Sequence, residues 1–156
     1  MKLKLHLIHV EASLHGIFCL GRQGIEDLSE SESLELMHAV QAFSADQFQG
    51  QFQKQFQKSF EKPSQESSES PLLKSVNPWL WELKLKSKDQ LKTYSLKKNI
   101  NQEISPYMPS GKDSASWRLW MTEVQMLFHS HPVNLARQAA GKKTVDWVWP
   151  EKTLFF

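Results

Sequence analysis

Two histidines, His129 and His131, come closest to a chemical site by residue type and spacing, with Glu123 a short distance before them. Imidazole and carboxylate groups bind transition metals such as zinc. On a continuous helix, side chains two positions apart point about 200° away from each other, so this pair could not chelate one ion there. A break at Pro132 would bring the two imidazoles together. A histidine before a proline at a helix corner can instead cap exposed backbone groups, and we favour this structural role.

Further polar residues follow the proline. Asn134, near the start of a second helix, can satisfy a free backbone donor, and Arg137, near its end, suits the helix macrodipole. The alternative is that Glu123, His131, Asn134 and Arg137 line one pocket, in which Arg137 would bind an anion. His129 joins them as a ligand or partner candidate, and both interpretations stay open from the sequence.

The motifs of several enzyme classes are absent. The chain contains no phosphate-binding loop, dinucleotide-binding glycine motif, nucleophile elbow or His-Glu-x-x-His sequence. Its one cysteine, Cys19, lies in an apolar run without a nearby base, which is typical of a buried, inert thiol. One cysteine also excludes an intramolecular disulfide and a cysteine-based zinc site. We therefore predict no catalytic residue, no metal site and no cofactor.

The chain is rich in tryptophan, with six residues at positions 79, 81, 117, 120, 147 and 149. Their simplest role is to fill the core and a sheet face. Trp147 and Trp149 would share one face of a strand. If nothing covers that face, the two indoles form a surface for a partner.

The composition is that of a globular protein and favours one domain over residues 1–156. The chain has a mass of 18.1 kDa, 40% hydrophobic and 23% charged residues, and a net charge of +2. This charge balance does not indicate a nucleic-acid or anionic-membrane partner, and the lysines at 84–98 are more typical of a solvated strand face. No run approaches the ~20 apolar residues of a membrane span, and no signal peptide is evident. We therefore expect a cytoplasmic protein.

Alternating apolar residues predict four strands. Leu3, Leu5 and Leu7 alternate with polar residues near the start of the chain, and Trp81, Leu83 and their neighbours alternate after a turn at Pro78. A hairpin would join the first two strands, and Pro150 would end the last one. The predicted strands cover residues 2–10, 16–20, 79–86 and 145–149.

Helical spacing of apolar residues predicts three helices. The serines and glutamates at 29–33 supply N-cap candidates for the first, and Ser114 or Ser116 for the second. Pro132 would open the third, and Gly141 would end it. The predicted helices cover residues 31–43, 115–129 and 132–140. Strands and helices in this order predict an α+β fold, with a small antiparallel sheet covered on one face by helices.

Two segments are less regular. Residues 62–77 are rich in serine, glutamate and proline, and we expect a flexible polar loop there. A phenylalanine recurs every four residues from Phe48 to Phe60 within a glutamine-rich run. Local propensity leans towards a helix, but the pattern alone does not decide between a helix, a strand and disorder over residues 47–60.

Residues 123–137 read Glu-Val-Gln-Met-Leu-x-x-x-His-Pro-Val-Asn-x-Ala-Arg and are followed by Trp147-Val148-Trp149. This pattern resembles the C-terminal region of a bacterial family labelled as RpfE-type regulatory proteins or as distant relatives of cofactor-independent phosphoglycerate mutases. The resemblance implies a regulatory role, and we expect a non-catalytic domain that binds a protein partner or self-associates.

The mutase label suggests an alternative, a metal-dependent phosphatase or mutase-like enzyme. That chemistry uses two metal ions held by several aspartates and histidines, together with a nucleophilic serine. The chain has five aspartates, none of them within two residues of a histidine. The sequence therefore favours binding over catalysis.

Overall fold

The sheet of the computed structural model is organised around one long strand, β1 (Lys2–Ser13). The structure describes residues 1–47, 60, 72–85, 91–112 and 114–153. The other four strands are β2 (Gly16–Gly21), β3 (Leu73–Asn77), β4 (Leu80–Lys84) and β5 (Trp147–Lys152). The first half of β1 lies between β4 and β5, its second half pairs with β2, and β3 pairs with β4. Every pairing is antiparallel.

The alternation along β1 sorts its side chains between the two faces of the sheet, as the sequence predicted. Leu3, Leu5 and Leu7 are fully buried, whereas Lys2 and Lys4 are exposed. On the neighbouring strand, Trp81 stands opposite Leu5 and continues the same apolar face. Burying a row of such side chains stabilises the sheet by about 2 kcal/mol for each of them.

The predicted loop over residues 62–77 is wrong at its C-terminal end, because β3 occupies Leu73–Asn77. The polar composition of this segment gives no strand signal. Only Leu73 is buried, while Lys74 and Val76 face solvent. Pairing with β4, which follows after a short turn, supplies the backbone partners that make this segment a strand, and such pairing leaves little trace in the composition of the segment itself. The rest of the predicted loop, 62–71, lies outside the described residues.

The predicted end of β5 at residue 149 is also wrong, because the strand continues through Pro150 to Lys152. The backbone amide of Thr153 donates to the carbonyl of Lys2 at 3.1 Å. Amides along an antiparallel strand face the neighbour at every second residue, so position 150 points away from β1. The missing N–H of proline therefore removes no hydrogen bond to β1.

Three α-helices lie close to the predicted ranges: α1 (Glu30–Ala42), α2 (Ser114–His129) and α3 (Pro132–Ala139). Ser29 and Glu32 form a capping box at the start of α1, each side chain accepting from the other's backbone amide at 3.0 Å. A π-helical turn, Phe43–Gln47, extends α1. Beyond α3, Gly141 adopts a φ of 73°, the left-handed conformation that glycine tolerates at a helix end.

The tryptophans join the helices to the sheet and place the core between them. The indole of Trp81 donates to the Ser33 hydroxyl of α1 at 3.0 Å, and that of Trp147 donates to the Met121 carbonyl of α2 at 2.8 Å. The buried apolar side chains form one continuous cluster. The α+β fold, an antiparallel sheet with helices on one face, is therefore confirmed.

Two smaller expectations concern Cys19 and the phenylalanine repeat. Cys19 is fully buried, and burial raises the pKa of its thiol, as expected of an inert cysteine. Positions 48–59 of the repeat lie outside the described residues. Phe60 is buried with its ring centroid 5.8 Å from that of Trp120, so the end of the repeat belongs to the core.

Among the described residues, no helix has both the length and the apolar character that crossing a bilayer requires.

Replacement of the N-cap, Ser29→Ala, should lower the free energy of unfolding by about 1 kcal/mol, because the amide of Glu32 loses its acceptor. Urea unfolding followed by circular dichroism would measure the change. Ser31→Ala, one position inside the helix, is the matched control and should cause no loss. An equal effect of the two substitutions would contradict the capping role.

Candidate functional site

The corner between α2 and α3 brings together most of the polar residues singled out in the sequence. His131 stands between the helices with extended backbone angles and caps α3, its Nδ1 accepting from the Val133 amide at 3.1 Å. Burial lowers the pKa of His131, which keeps the imidazole neutral and its lone pair available for that bond. One nitrogen of this histidine is thus committed to the helix end.

Asn134 links three segments through one side chain. Its Nδ2 donates to the carbonyls of Phe128 at 2.8 Å and Val145 at 2.7 Å, and its Oδ1 accepts from the Val145 amide at 2.9 Å. The residue is only 1% exposed. The carboxamide therefore fastens the last turn of α2, the first turn of α3 and the chain entering β5.

Arg137 is buried and engaged by groups of its own chain. Its Nε donates to the Lys143 carbonyl at 2.6 Å, and its terminal nitrogens contact the carboxylates of Asp27 at 2.7 Å and Glu32 at 3.3 Å. The hydrogen bond from Arg137 lowers the pKa of Asp27. The guanidinium therefore fastens α3 to the start of α1 and is not open to an external anion.

A cleft of about 200 Å³ opens beside the corner, and we call it the helix-corner cleft. It lies between the β1–β2 hairpin, the end of α2, α3 and the segment before β5. Its apolar lining is Val10, Ala12 and Ile17, and its polar lining is Gln125, His129, Asn134, Gln138, Thr144 and Asp146.

A buried histidine, His9, reinforces one wall of the cleft. Its Nδ1 lies 2.7 Å from Asp146 and 2.9 Å from the Thr144 carbonyl, and its Nε2 lies 3.3 Å from Glu11. The hydrogen bond to Asp146 raises the pKa of His9, with burial acting in the opposite direction. With carboxylates near both nitrogens, the imidazole is placed as an ion-pair partner of Asp146 and Glu11.

The structure brings some of the predicted residues to this cleft and leaves others away from it. His129 and Asn134 line the cleft, whereas His131 caps α3 and the buried Arg137 does not line the cleft. Glu123 is half-buried on α2 and does not line the cleft. The predicted pocket of Glu123, His131, Asn134 and Arg137 is therefore not formed.

Trp147 and Trp149 do not form a surface patch. Both are buried, and their indoles donate to the carbonyls of Met121 and Tyr94 at 2.8 Å. The strand face that carries them is covered by α2 at one end and by the segment around Tyr94 at the other. The alternative that placed a partner on these two indoles is wrong.

Sequence reasoning missed His9, Thr144 and Asp146. No aspartate lies close to a histidine along the chain, and the partners here are far apart in sequence. Asp146, for example, accepts a hydrogen bond at 2.9 Å from the backbone amide of Val10, which is 136 positions away. The signal that could have found them is the pairing of the first and last strands. Antiparallel pairing of β1 with β5 places the residues after Ile8 next to those before Trp147.

Within the part of the chain that the structure describes, no three histidine, cysteine, aspartate or glutamate side chains converge as metal ligands. The acidic and basic groups around the cleft instead bond to one another. What the arrangement offers to a ligand is a small recess with amide and imidazole groups at its rim.

Comparison of the chain with protein-family models, with curated proteins and with solved structures finds no match.

Asn134→Ala should destabilise the protein by about 3 kcal/mol, since three buried backbone groups lose their partner and each such loss costs about 1–3 kcal/mol, partly relieved by water. Urea unfolding measures the change. Gln138→Ala, an exposed site on the same helix, is the matched control and should lie within about 0.5 kcal/mol of the parent. A small loss for Asn134→Ala would contradict the fastening role.

The His9 ion pair should make stability depend on pH. Because the folded pKa is raised above the unfolded value of about 6.5, the stabilisation is fully present below that pH and is lost as pH rises through the folded pKa. Unfolding of the parent and of His9→Gln between about pH 5.5 and about pH 8.5 tests this. The stability difference between them should shrink as pH rises; a constant or growing difference would refute the assignment.

Proposed function

We propose that this protein is a non-catalytic domain that binds a polypeptide partner at the helix-corner cleft, in a regulatory role in the cytoplasm. The observation that carries the proposal is the distribution of exposed apolar side chains. Among the described residues five large apolar side chains are exposed, and four of them, Leu14, Leu119, Met126 and Leu135, belong to the elements that line the cleft.

Three of these residues, Leu14, Met126 and Leu135, closely follow a cleft residue in the chain. Leu14, at the tip of the β1–β2 hairpin, is completely exposed and follows the cleft residue Ala12 closely. Met126 is 63% exposed and follows Gln125, and Leu135 is 52% exposed and follows Asn134. Exposed apolar side chains on the elements that line a recess are typical of protein-binding surfaces.

The internal bonding of the charged groups supports binding over turnover. Arg137 is neutralised by Asp27 and Glu32, and His9 is fixed between Asp146 and Glu11. None of these groups is left with the free lone pair or unpaired charge that acid–base or nucleophilic catalysis requires. The remaining rim groups, among them Gln125 and Gln138, suit hydrogen bonds to peptide groups of a partner.

The resemblance of residues 123–137 to a bacterial regulatory family agrees with this proposal, since that segment forms the corner itself. The same resemblance suggested a metal-dependent phosphatase or mutase-like enzyme. No observation on the described residues favours that alternative.

Selection from a library of displayed random 12-residue peptides, followed by calorimetry with the enriched peptides, tests the proposal. Peptides that bind the parent should lose at least about tenfold in affinity on Met126→Ser or Leu135→Ser, because each change removes exposed apolar contact area. Val76→Ser, an exposed apolar site on the β3–β4 hairpin, is the matched control and should leave affinity unchanged.

Two outcomes would count against the proposal. One is that no peptide is enriched; the other is that enriched peptides bind the Met126 and Leu135 variants as tightly as the parent. Light scattering on the eluting protein separates self-association from binding to another chain. A dimer that dissociates in Met126→Ser but not in Val76→Ser would identify the partner as a second copy.

A further inference from the structure

A second cleft, of about 520 Å³, opens between the end of β2 and the segment around residues 96–100. It shares no lining residue with the helix-corner cleft. Leu20, Leu96 and Ile100 form its apolar wall. Its volume lies within the range of small-molecule sites, which are mostly apolar with a few polar groups that fix orientation.

The two carboxylates of this cleft already have hydrogen-bond donors from the protein. Glu151 lies 2.8 Å from Nε2 of His6, on the neighbouring strand. Glu26 accepts from the Gly24 amide at 3.0 Å through both of its oxygens. Neither carboxylate therefore depends on a ligand for a partner.

The two cations of the cleft differ from the carboxylates in this respect. Among the described residues, no carboxylate lies within ion-pair distance of Arg22 or Lys97, whereas the buried Arg137 contacts two. Both cations line the cleft beside the apolar wall. The cleft thus combines apolar surface with positive charge that is not paired within the described part of the chain.

Arg22 is also held in position. Its guanidinium carbon lies 5.0 Å from the centre of the Trp79 ring, and the Trp79 indole is fixed by a hydrogen bond to the Ile25 carbonyl at 2.8 Å. A guanidinium stacked on an aromatic face keeps the N–H groups at its edge free to donate. Those groups match the two oxygens of a carboxylate, which guanidinium binds in bidentate geometry.

We propose that this second cleft binds a small monocarboxylate with an apolar body. The carboxylate would accept from Arg22, with Lys97 adding charge, and the apolar body would lie against Leu20, Leu96 and Ile100. This proposal does not depend on the proposed function, because the two clefts have no residue in common.

Three probes of nearly equal size and different charge test it: 3-phenylpropanoate, 3-phenylpropanamide and 3-phenylpropylamine. Titration into the isotopically labelled protein, followed by NMR, should shift the backbone amides of Leu20, Lys97 and Ile100 with the carboxylate. The amide and the amine should bind at least about tenfold more weakly, since a hydrogen bond between a guanidinium and a carboxylate is stronger than one to a neutral group.

Substitution of the two cations gives the second readout. Arg22→Gln should weaken 3-phenylpropanoate binding by about tenfold and Lys97→Gln by about threefold, while the amide probe should respond to neither. Lys112→Gln, an exposed lysine outside the cleft, is the matched control. The spectrum of each variant reports whether it remains folded.

The proposal is overturned if the amide or the amine binds as tightly as the carboxylate. It is also overturned if the shifted amides lie elsewhere, or if a folded Arg22→Gln protein binds the carboxylate unchanged.

Discussion

The hydrogen bonds of the Asn134 carboxamide fix the geometry on which the rest of the corner depends. Two helices separated only by Ser130 and His131 leave backbone groups exposed at the end of one and the start of the other. Asn134 donates to one of these groups, the carbonyl of Phe128. Its carboxamide also forms hydrogen bonds with both backbone groups of Val145, just before β5. One side chain therefore sets the position of α3 relative to α2 and to the sheet.

The remaining polar groups of the corner act in the same way. Arg137 fastens α3 to the loop and helix start at Asp27 and Glu32, and His9 fastens β1 to the chain before β5. Because these groups satisfy one another, the surface beside them offers a recess, amide groups and exposed apolar side chains. These are the features on which we propose the binding of another polypeptide.

Much of the fold follows from the local pattern of apolar residues. The parts that do not follow from it depend on the pairing between strands. The spacing of Trp117, Trp120 and Val124 and the alternation of Leu3, Leu5 and Leu7 record burial directly, so those elements were predictable. The strand β3 has a polar composition and exists through its pairing with β4, and Pro150 is tolerated because its position faces away from β1. Neither fact can be seen in a local window.

The candidate site also combines a contact that the sequence predicts with contacts that it does not. His131 as a cap follows from its place before a proline. The contacts of Arg137 with Asp27 and of His9 with Asp146 join residues more than a hundred positions apart, and only the tertiary arrangement brings them together. The tryptophans near the end of the chain were ambiguous in sequence, because a strand at the sheet margin can be open or covered. Here α2 and the segment around Tyr94 cover it.

The most direct test of the account is an NMR measurement on the side-chain amide of Asn134. If the carboxamide fastens the corner, both Nδ2 protons should exchange slowly with solvent and show couplings through hydrogen bonds to the carbonyls of Phe128 and Val145. Rapid exchange of both protons, without such couplings, would contradict it.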